Sequence, residues 1–228
     1  MVDAVLLEWD GVLADTGCAR REALLRALAD EGVDWSATAY DASCEGLDAT
    51  ASAHVAIEQT RGSDPALADL VALRAGRTFT ERLSRGFTLR VGVTEFLAAC
   101  EARTRLAIVT RASRAETDLF LRVSGLDGAM ACVFTVDDVL QPPPAPELFE
   151  HAQAHLARTR RSRREQIVAL VGTTPSIRAA RDAGLHVLAV GAPAHVAIES
   201  DGALSDLSAL TLDALATLAG ITPTERRR

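Results

Sequence analysis

Five short apolar runs, separated by helical segments, constrain the fold of this 228-residue chain more than any other feature of its sequence. The runs are rich in β-branched residues and cover residues 4–9, 105–110, 131–135, 167–172 and 186–190. Apolar runs of this length are typical of strands that are buried on both faces, as in a parallel sheet. Parallel strands need crossover connections, which are right-handed in nearly all proteins. The pattern therefore predicts an α/β fold with a doubly wound, Rossmann-like parallel sheet between two layers of helices.

Local signals predict the ends of two helices in this core. Ser113 and Glu116 have the spacing of a capping box, and Gly125 follows the last apolar residue of that helix. Thr174 is followed by a proline, which predicts that Thr174 is the N-cap of the helix after the fourth strand. Both helices are thus expected to begin directly after a strand, at the same edge of the sheet.

A long helical stretch separates the first two predicted strands. Its apolar residues at helical spacing are Leu24, Leu25, Leu28, Leu67, Leu70, Val71 and Leu73. A crossover of this length is more than one helix needs. We therefore expect two parts, an α/β core of residues 1–14 and 87–228 and an inserted helical cap of residues 15–86.

Charge and composition exclude several classes of function. The formal net charge is −7, so we expect no nucleic-acid partner. The four cysteines form no CxxC pair, and the five histidines are scattered, so a zinc site is not expected. No apolar run is long enough for a membrane span, and the N-terminal sequence lacks a basic start, so we expect a cytoplasmic protein. The sequence leaves the oligomeric state open.

Polar residues follow three of the predicted strands, at the edge where open α/β sheets bind ligands. Glu8 and Asp10 lie two residues apart at the end of the first strand and therefore point the same way. Thr110 ends the second strand before a capped helix, so its hydroxyl and the following N–H groups form a cradle for an anion. Thr173 follows the fourth strand before another helix N-terminus. We expect these four residues to converge on one phosphate-sized site.

The end of the first strand reads LLEWDGVLADT, which resembles the first motif of the haloacid dehalogenase superfamily, D-x-D-G-x-L-x-D. The segments TLRVGVTEFL, LAIVTRAS, PPPAPELF and VALVGTTPSIRAARDAGL follow in the family's order, so the resemblance covers nearly the whole chain. It is strongest to the β-phosphoglucomutase and phosphoglycolate phosphatase branch, which has a helical cap after the first motif. The resemblance implies magnesium-dependent hydrolysis of a phosphate ester, or phosphoryl transfer, on a small metabolite.

The resemblance assigns a role to each matching position. The family's nucleophilic aspartate corresponds to Glu8, and its acid/base aspartate corresponds to Asp10. Its phosphate-holding hydroxyl corresponds to Thr110, its lysine to Pro143 and its metal-binding aspartate to Thr173. The resemblance thus implies Glu8 and Asp10 as catalytic residues and Glu8, Asp10 and Thr173 as ligands of a magnesium ion.

Three of these positions depart from the family's pattern. Glutamate at position 8 moves the attacking oxygen by about 1 Å, a displacement that can cost roughly a hundredfold in rate. The Thr173 hydroxyl carries no charge for magnesium, and Pro143 supplies no cation for the phosphate. The chain contains no lysine at all, so Arg111 or Arg114 would have to supply the positive charge, and Arg111 is taken as a phosphate-binding residue beside Thr110.

Two functions therefore remain open from the sequence. The first is a weak or rearranged hydrolase of this superfamily, with Asp137 or Asp138 in an altered metal site. The second is a non-catalytic relative that binds a small phosphorylated metabolite, an inorganic anion or a protein partner through the same cleft.

Overall fold

A six-stranded parallel sheet forms the centre of the computed structural model, which describes residues 1–101, 103–160 and 162–221. The strand order is β3-β2-β1-β4-β5-β6. The strands are β1 (Ala4–Leu7), β2 (Arg105–Val109), β3 (Cys132–Phe134), β4 (Ile167–Val171), β5 (His186–Val190) and β6 (Gly202–Leu204). Ala4 of β1 lies opposite Arg105 of β2 and Ile167 of β4. The predicted doubly wound α/β fold is confirmed.

Burial explains which strands the sequence could reveal. All four residues of β1 are buried because this strand lies between β2 and β4 with helices on both faces. Val5 and Leu7 face one apolar cluster, which includes Phe96, whereas Ala4 and Leu6 face the other. The edge strand β6 has only three residues and is partly exposed, so it carries no apolar run and was not predicted.

Helices cover both faces of the sheet and form the inserted region. Their bounds are α1 (Gly17–Asp30), α2 (Ala37–Ser43), α3 (Ala49–Arg61), α4 (Pro65–Ser84), α5 (Val93–Cys100), α6 (Arg114–Ser124), α7 (Glu147–Arg160), α8 (Thr174–Asp182), α9 (Ala194–Ala197) and α10 (Leu212–Leu218). Among these described helices, none is long and apolar enough to cross a membrane.

Helices α1 to α4 pack around an apolar cluster of their own. Leu28, Ile57 and Val71 lie at its centre. Two leucines predicted for the packing face of α4 are in fact exposed, Leu70 to 38% and Leu73 to 73%, because α4 packs its alanine-rich face inward. The predicted limits, 15–86 for the cap and 1–14 with 87–228 for the core, stay a prediction, and residues 222–228 lie outside the described part of the chain.

Two helices begin at the carboxyl edge of the sheet, and Ser113 caps α6 as predicted, although without the second hydrogen bond of a capping box. The Ser113 hydroxyl accepts a hydrogen bond from the Glu116 N–H at 3.3 Å, and Gly125 ends α6 with a φ of 71°. The N-cap of α8 is Thr173 rather than Thr174, so that prediction was wrong by one residue. The shift matters for the site, because it places the Thr173 side chain before the helix and the Thr174 N–H at its first turn.

Candidate functional site

A cleft of about 600 Å³ lies between the carboxyl ends of the strands and the cap helices. Glu8, Asp10, Thr110 and Arg111 line its core side, and Thr173 contacts Arg111 through its hydroxyl, 3.5 Å from Nη2. The cap side is formed by residues Leu47, Asp48, Ala49, Thr50, Asp69, Ala72, Leu73, Gly76, Arg77 and Thr80. The residues predicted to converge are therefore brought together at the edge of the sheet.

The Glu8 carboxylate is buried, and the chain itself engages both of its oxygens. Oε2 accepts a hydrogen bond from the Gly172 N–H at 2.8 Å, and Oε1 accepts one from the Ser176 hydroxyl. The Arg111 Nε lies 3.9 Å from Oε1. Burial raises the pKa of Glu8 above its ordinary value, although Arg111, Ser176 and Gly172 each act to lower it. Glu8 is held as part of a packed polar network.

Asp10 is also engaged at both oxygens. Oδ1 accepts a hydrogen bond from the Thr16 hydroxyl, and Oδ2 accepts one from Nε of Arg20, each at 2.5 Å. The other Arg20 nitrogens lie 3.3 Å from the Glu116 carboxylate, and the guanidinium stacks 4.0 Å from the centre of the Phe79 ring. Burial opposes the charge on Arg20, yet Asp10 and Glu116 keep its pKa above the ordinary value. Glu116 therefore binds Arg20 instead of completing a capping box.

Trp9 lies between the two carboxylates in the chain. It is fully buried and stacks on Phe120 with ring centres 4.6 Å apart. Its indole N–H donates to the Thr117 hydroxyl at 3.3 Å. Trp9 is anchored in the core, and Glu8 and Asp10, which flank it in the chain, both line the cleft.

The N–H groups predicted to cradle an anion are partly satisfied by the chain itself. The Thr110 hydroxyl accepts a hydrogen bond from the Ala112 N–H at 3.1 Å. The Asp137 carboxylate accepts one from the Arg114 N–H at 2.7 Å, at the first turn of α6. An anion at this helix terminus would have to share donors with these residues or replace them.

Arg111 and Arg114 differ sharply in their surroundings. Arg114 donates through Nη2 to the Val133 carbonyl and to the Asp138 carboxylate, so its guanidinium is bound to residues other than Glu8 and Asp10. Arg111 lies beside Glu8, and its Nε and Nη1 are buried without a hydrogen-bond partner among the described residues. Of the two candidate cations, Arg111 is the one that lines the cleft, and two of its donors are buried there without a partner among the described residues.

Asp138 has a structural role, because its Oδ2 accepts hydrogen bonds from the N–H and hydroxyl of Thr135 and from Arg114. Burial acts to raise the pKa of Asp138, but these hydrogen bonds and the charge of Arg114 lower it below the ordinary value. The Asp137 carboxylate accepts a hydrogen bond from the Arg114 N–H at the N-terminus of α6. These contacts do not favour an altered metal site built on either residue.

A magnesium ion was the expected cofactor, with Glu8, Asp10 and Thr173 as its ligands. All four carboxylate oxygens of Glu8 and Asp10 already accept hydrogen bonds, and Arg111 and Arg20 place positive charge beside them. The part of the chain that the structure describes contains no group of three or more His, Cys, Asp or Glu side chains arranged to hold a metal ion. Magnesium requires near-ideal octahedral oxygen ligands, so the residues as arranged do not fit it.

Sequence reasoning missed the partners that hold the two carboxylates. Ser176 and Gly172 lie more than 160 positions from Glu8 in the chain, and Arg20 comes from a cap helix. A serine in the first turn of a helix and an arginine on an amphipathic helix have ordinary structural roles, so no local pattern marks them. Only the packing of α1 and α8 against the sheet edge brings them to the site.

The model of one protein family matches residues 5–190 of this chain, and that family is described as haloacid dehalogenase-like hydrolase. No curated protein sequence matches the chain.

Solved structures provide the second comparison. The structure of CbbY from Rhodobacter sphaeroides in complex with phosphate has a TM-score of 0.81 and 23% identity, covering 94% of this chain and 99% of CbbY. A β-phosphoglucomutase from Clostridium difficile has a TM-score of 0.80 and 14% identity, covering 96% of this chain and 98% of that protein. A protein from Haemophilus somnus, described as a predicted phosphoglycolate phosphatase, has a TM-score of 0.76 and 18% identity. The match covers 91% of this chain and 95% of that protein. At these identities the likeness establishes the fold.

Proposed function

This chain belongs to the haloacid dehalogenase-like hydrolase family, and from that premise we propose that its cleft binds a small phosphorylated metabolite or an inorganic anion without a metal ion. In this proposal, magnesium-dependent hydrolysis of phosphate esters is weak or lost. The cleft would act as a binding site on an enzyme fold.

The observation that carries the proposal is the buried guanidinium of Arg111. Its Nε and Nη1 lack hydrogen-bond partners among the described residues, and a buried donor without a partner is costly. An anion that accepts from these N–H groups would remove that cost, and arginine matches phosphate oxygens well. Thr110 adds a hydroxyl at the same edge of the cleft. The phosphate complex of CbbY is consistent with a phosphate-sized ligand in this fold.

The arrangement of the two carboxylates argues against efficient hydrolysis. The nucleophile must be an ionised carboxylate, whereas burial raises the pKa of Glu8 and Gly172 and Ser176 hold its side chain in place. A general acid must release a proton to the leaving group, whereas Asp10 is bound by Arg20 and Thr16 at both oxygens. Charge stabilisation usually supplies the largest part of the rate, and Pro143 contributes none.

Calorimetric titration with inorganic phosphate, in the presence of a chelator, tests the proposal. We expect weak binding by the wild type that Arg111→Gln reduces by about tenfold or more, because a charge-assisted hydrogen bond is lost. Thr110→Val should weaken binding as well. Arg114→Gln is the matched control, since it removes the same charge from a guanidinium that binds Asp138 instead. Equal losses in the two arginine variants, or no binding by the wild type, would contradict the proposal.

A further inference from the structure

The loop that joins α2 to α3 in the cap contacts the core at the N-terminus of α8. Oε1 of Glu45 accepts hydrogen bonds from the N–H and from the hydroxyl of Thr174, each at 3.1 Å. The first turn of a helix has unsatisfied N–H groups and a partial positive charge, so a carboxylate is favourable there. The cap thus places one of its own anions at the edge of the cleft.

The next residue, Gly46, lies directly against Arg111. Its φ is +75°, in the left-handed region that favours glycine. A Cβ atom at this position would lie 2.6 Å from Nη1 of Arg111 and 2.5 Å from Cγ of Pro175. The loop backbone therefore covers the side of Arg111 that carries the unpartnered Nη1, and only glycine allows this close approach.

We propose that Glu45 and Gly46 form a latch that closes the cap over Arg111 and competes with the ligand for it. The inference rests on the proposed anion-binding function of the same cleft. A ligand oxygen that reaches Nη1 must occupy the space where Gly46 lies, so the loop must move. When the loop moves, Glu45 leaves the N-terminus of α8.

This coupling makes the affinity for a ligand depend on how often the latch is open. The apparent dissociation constant equals the intrinsic constant divided by the fraction of molecules in the open state. Removing the two hydrogen bonds of Glu45 raises that fraction, so we expect Glu45→Ala to bind phosphate about three- to tenfold more tightly than the wild type.

Amide hydrogen exchange without ligand tests the latch itself. In Glu45→Ala the Thr174 N–H loses its acceptor, so this amide and those of residues 44–48 should exchange faster than in the wild type. Glu58→Ala is the matched control, because it removes an exposed carboxylate from helix α3 of the same cap. Unchanged exchange in Glu45→Ala would overturn the latch, whatever the protein binds.

Titration with inorganic phosphate tests the competition. Glu45→Ala should bind more tightly and Glu58→Ala should match the wild type. Gly46→Ala should also bind more tightly, because its Cβ forces the loop off Arg111 without any change in charge. Faster exchange in Glu45→Ala combined with unchanged or weaker phosphate binding would overturn the competition. Phosphate binding that does not depend on Arg111 in any of these proteins would instead contradict the proposed function, and the competition with it.

Discussion

The Glu8 carboxyl lies in a buried position where its ionised form is costly. Burial raises its pKa from the ordinary value of 4.5, while Arg111 and the hydrogen bonds from Ser176 and Gly172 compensate in part. The folded protein therefore holds this proton more tightly than the unfolded chain does. As the pH rises above the ordinary pKa, the unfolded chain ionises freely and the folded state is destabilised relative to it.

Replacement of Glu8 with glutamine should expose this effect. Glutamine does not ionise, so the Tm difference between Glu8→Gln and the wild type should become more positive from about pH 4.5 to about pH 8. A change of about 1 kcal/mol corresponds to roughly 2–4 °C in a domain of this size. Differential scanning calorimetry at both pH values measures it, with the exposed Glu58→Gln as control. A Tm difference that stays constant, or becomes more negative as the pH rises, would contradict a raised pKa of Glu8 in the folded protein.

At the scale of elements, helix α4 connects the cap to the sheet. Its first half packs Val71 and Ala72 into the apolar cluster of the cap. Its second half packs Phe79 and Leu83 into the cluster that lies on the sheet. Phe79 also lies against Arg20, so the position of this helix supports the ion pair with Asp10. A shift of α4 would therefore disturb both the stability and the site.

Two truncations on α4 should separate these contributions. Phe79→Ala removes a buried ring that stacks near Trp9, and we expect a loss of about 3–5 kcal/mol in the free energy of unfolding. Leu73→Ala, on the exposed cleft side of the same helix, should change it by about 0.5 kcal/mol or less. Urea unfolding followed by circular dichroism gives both values. Similar losses for the two variants would contradict the packing described for α4.

At the scale of the whole molecule, catalysis would need several groups to be positioned correctly around one phosphoryl group at the same time. The nucleophile, the charge-neutralising cation and the metal ligand act on one phosphoryl group. The losses of catalytic rate that follow from replacing each of them therefore need not add. Glu8, Pro143 and Thr173 come from separate segments of the chain, and Glu8 and Thr173 are joined through hydrogen bonds with Ser176.

Restoring the family's residues together tests this interpretation. The triple variant Glu8→Asp, Pro143→Lys, Thr173→Asp should raise magnesium-dependent hydrolysis of a generic phosphate ester from near background. The same triple variant with Asp10→Asn should remain at background, because the acid/base position is lost. Steady-state assays with and without magnesium provide the measurement. If the wild type instead turns over substrates well, and Glu8→Ala abolishes that turnover, Glu8 is a working nucleophile and the proposal of lost hydrolysis is wrong.

The sequence by itself indicated five of the six described strands, the family and the sheet edge that carries Glu8, Asp10 and Thr110. Strands buried on both faces need continuous apolar runs, and that requirement is local, so β1 to β5 could be predicted to within two residues at each end. The polar residues that follow those strands, such as Glu8 and Thr110, could be placed for the same reason. Among the described strands, only β6 was not predicted, because a short, partly exposed edge strand does not need a continuous apolar run.

The tertiary structure alone decided what surrounds those residues. Hydrogen bonds and burial depend on distances between elements that are far apart in the chain, and no local pattern records them. Thus only the packing of α8 against β4 and β5 gives Glu8 its partner Ser176, and only the position of α1 gives Asp10 its partner Arg20. The same packing left Arg111, rather than Arg114, as the cation beside Glu8, with Gly46 of the cap resting on it.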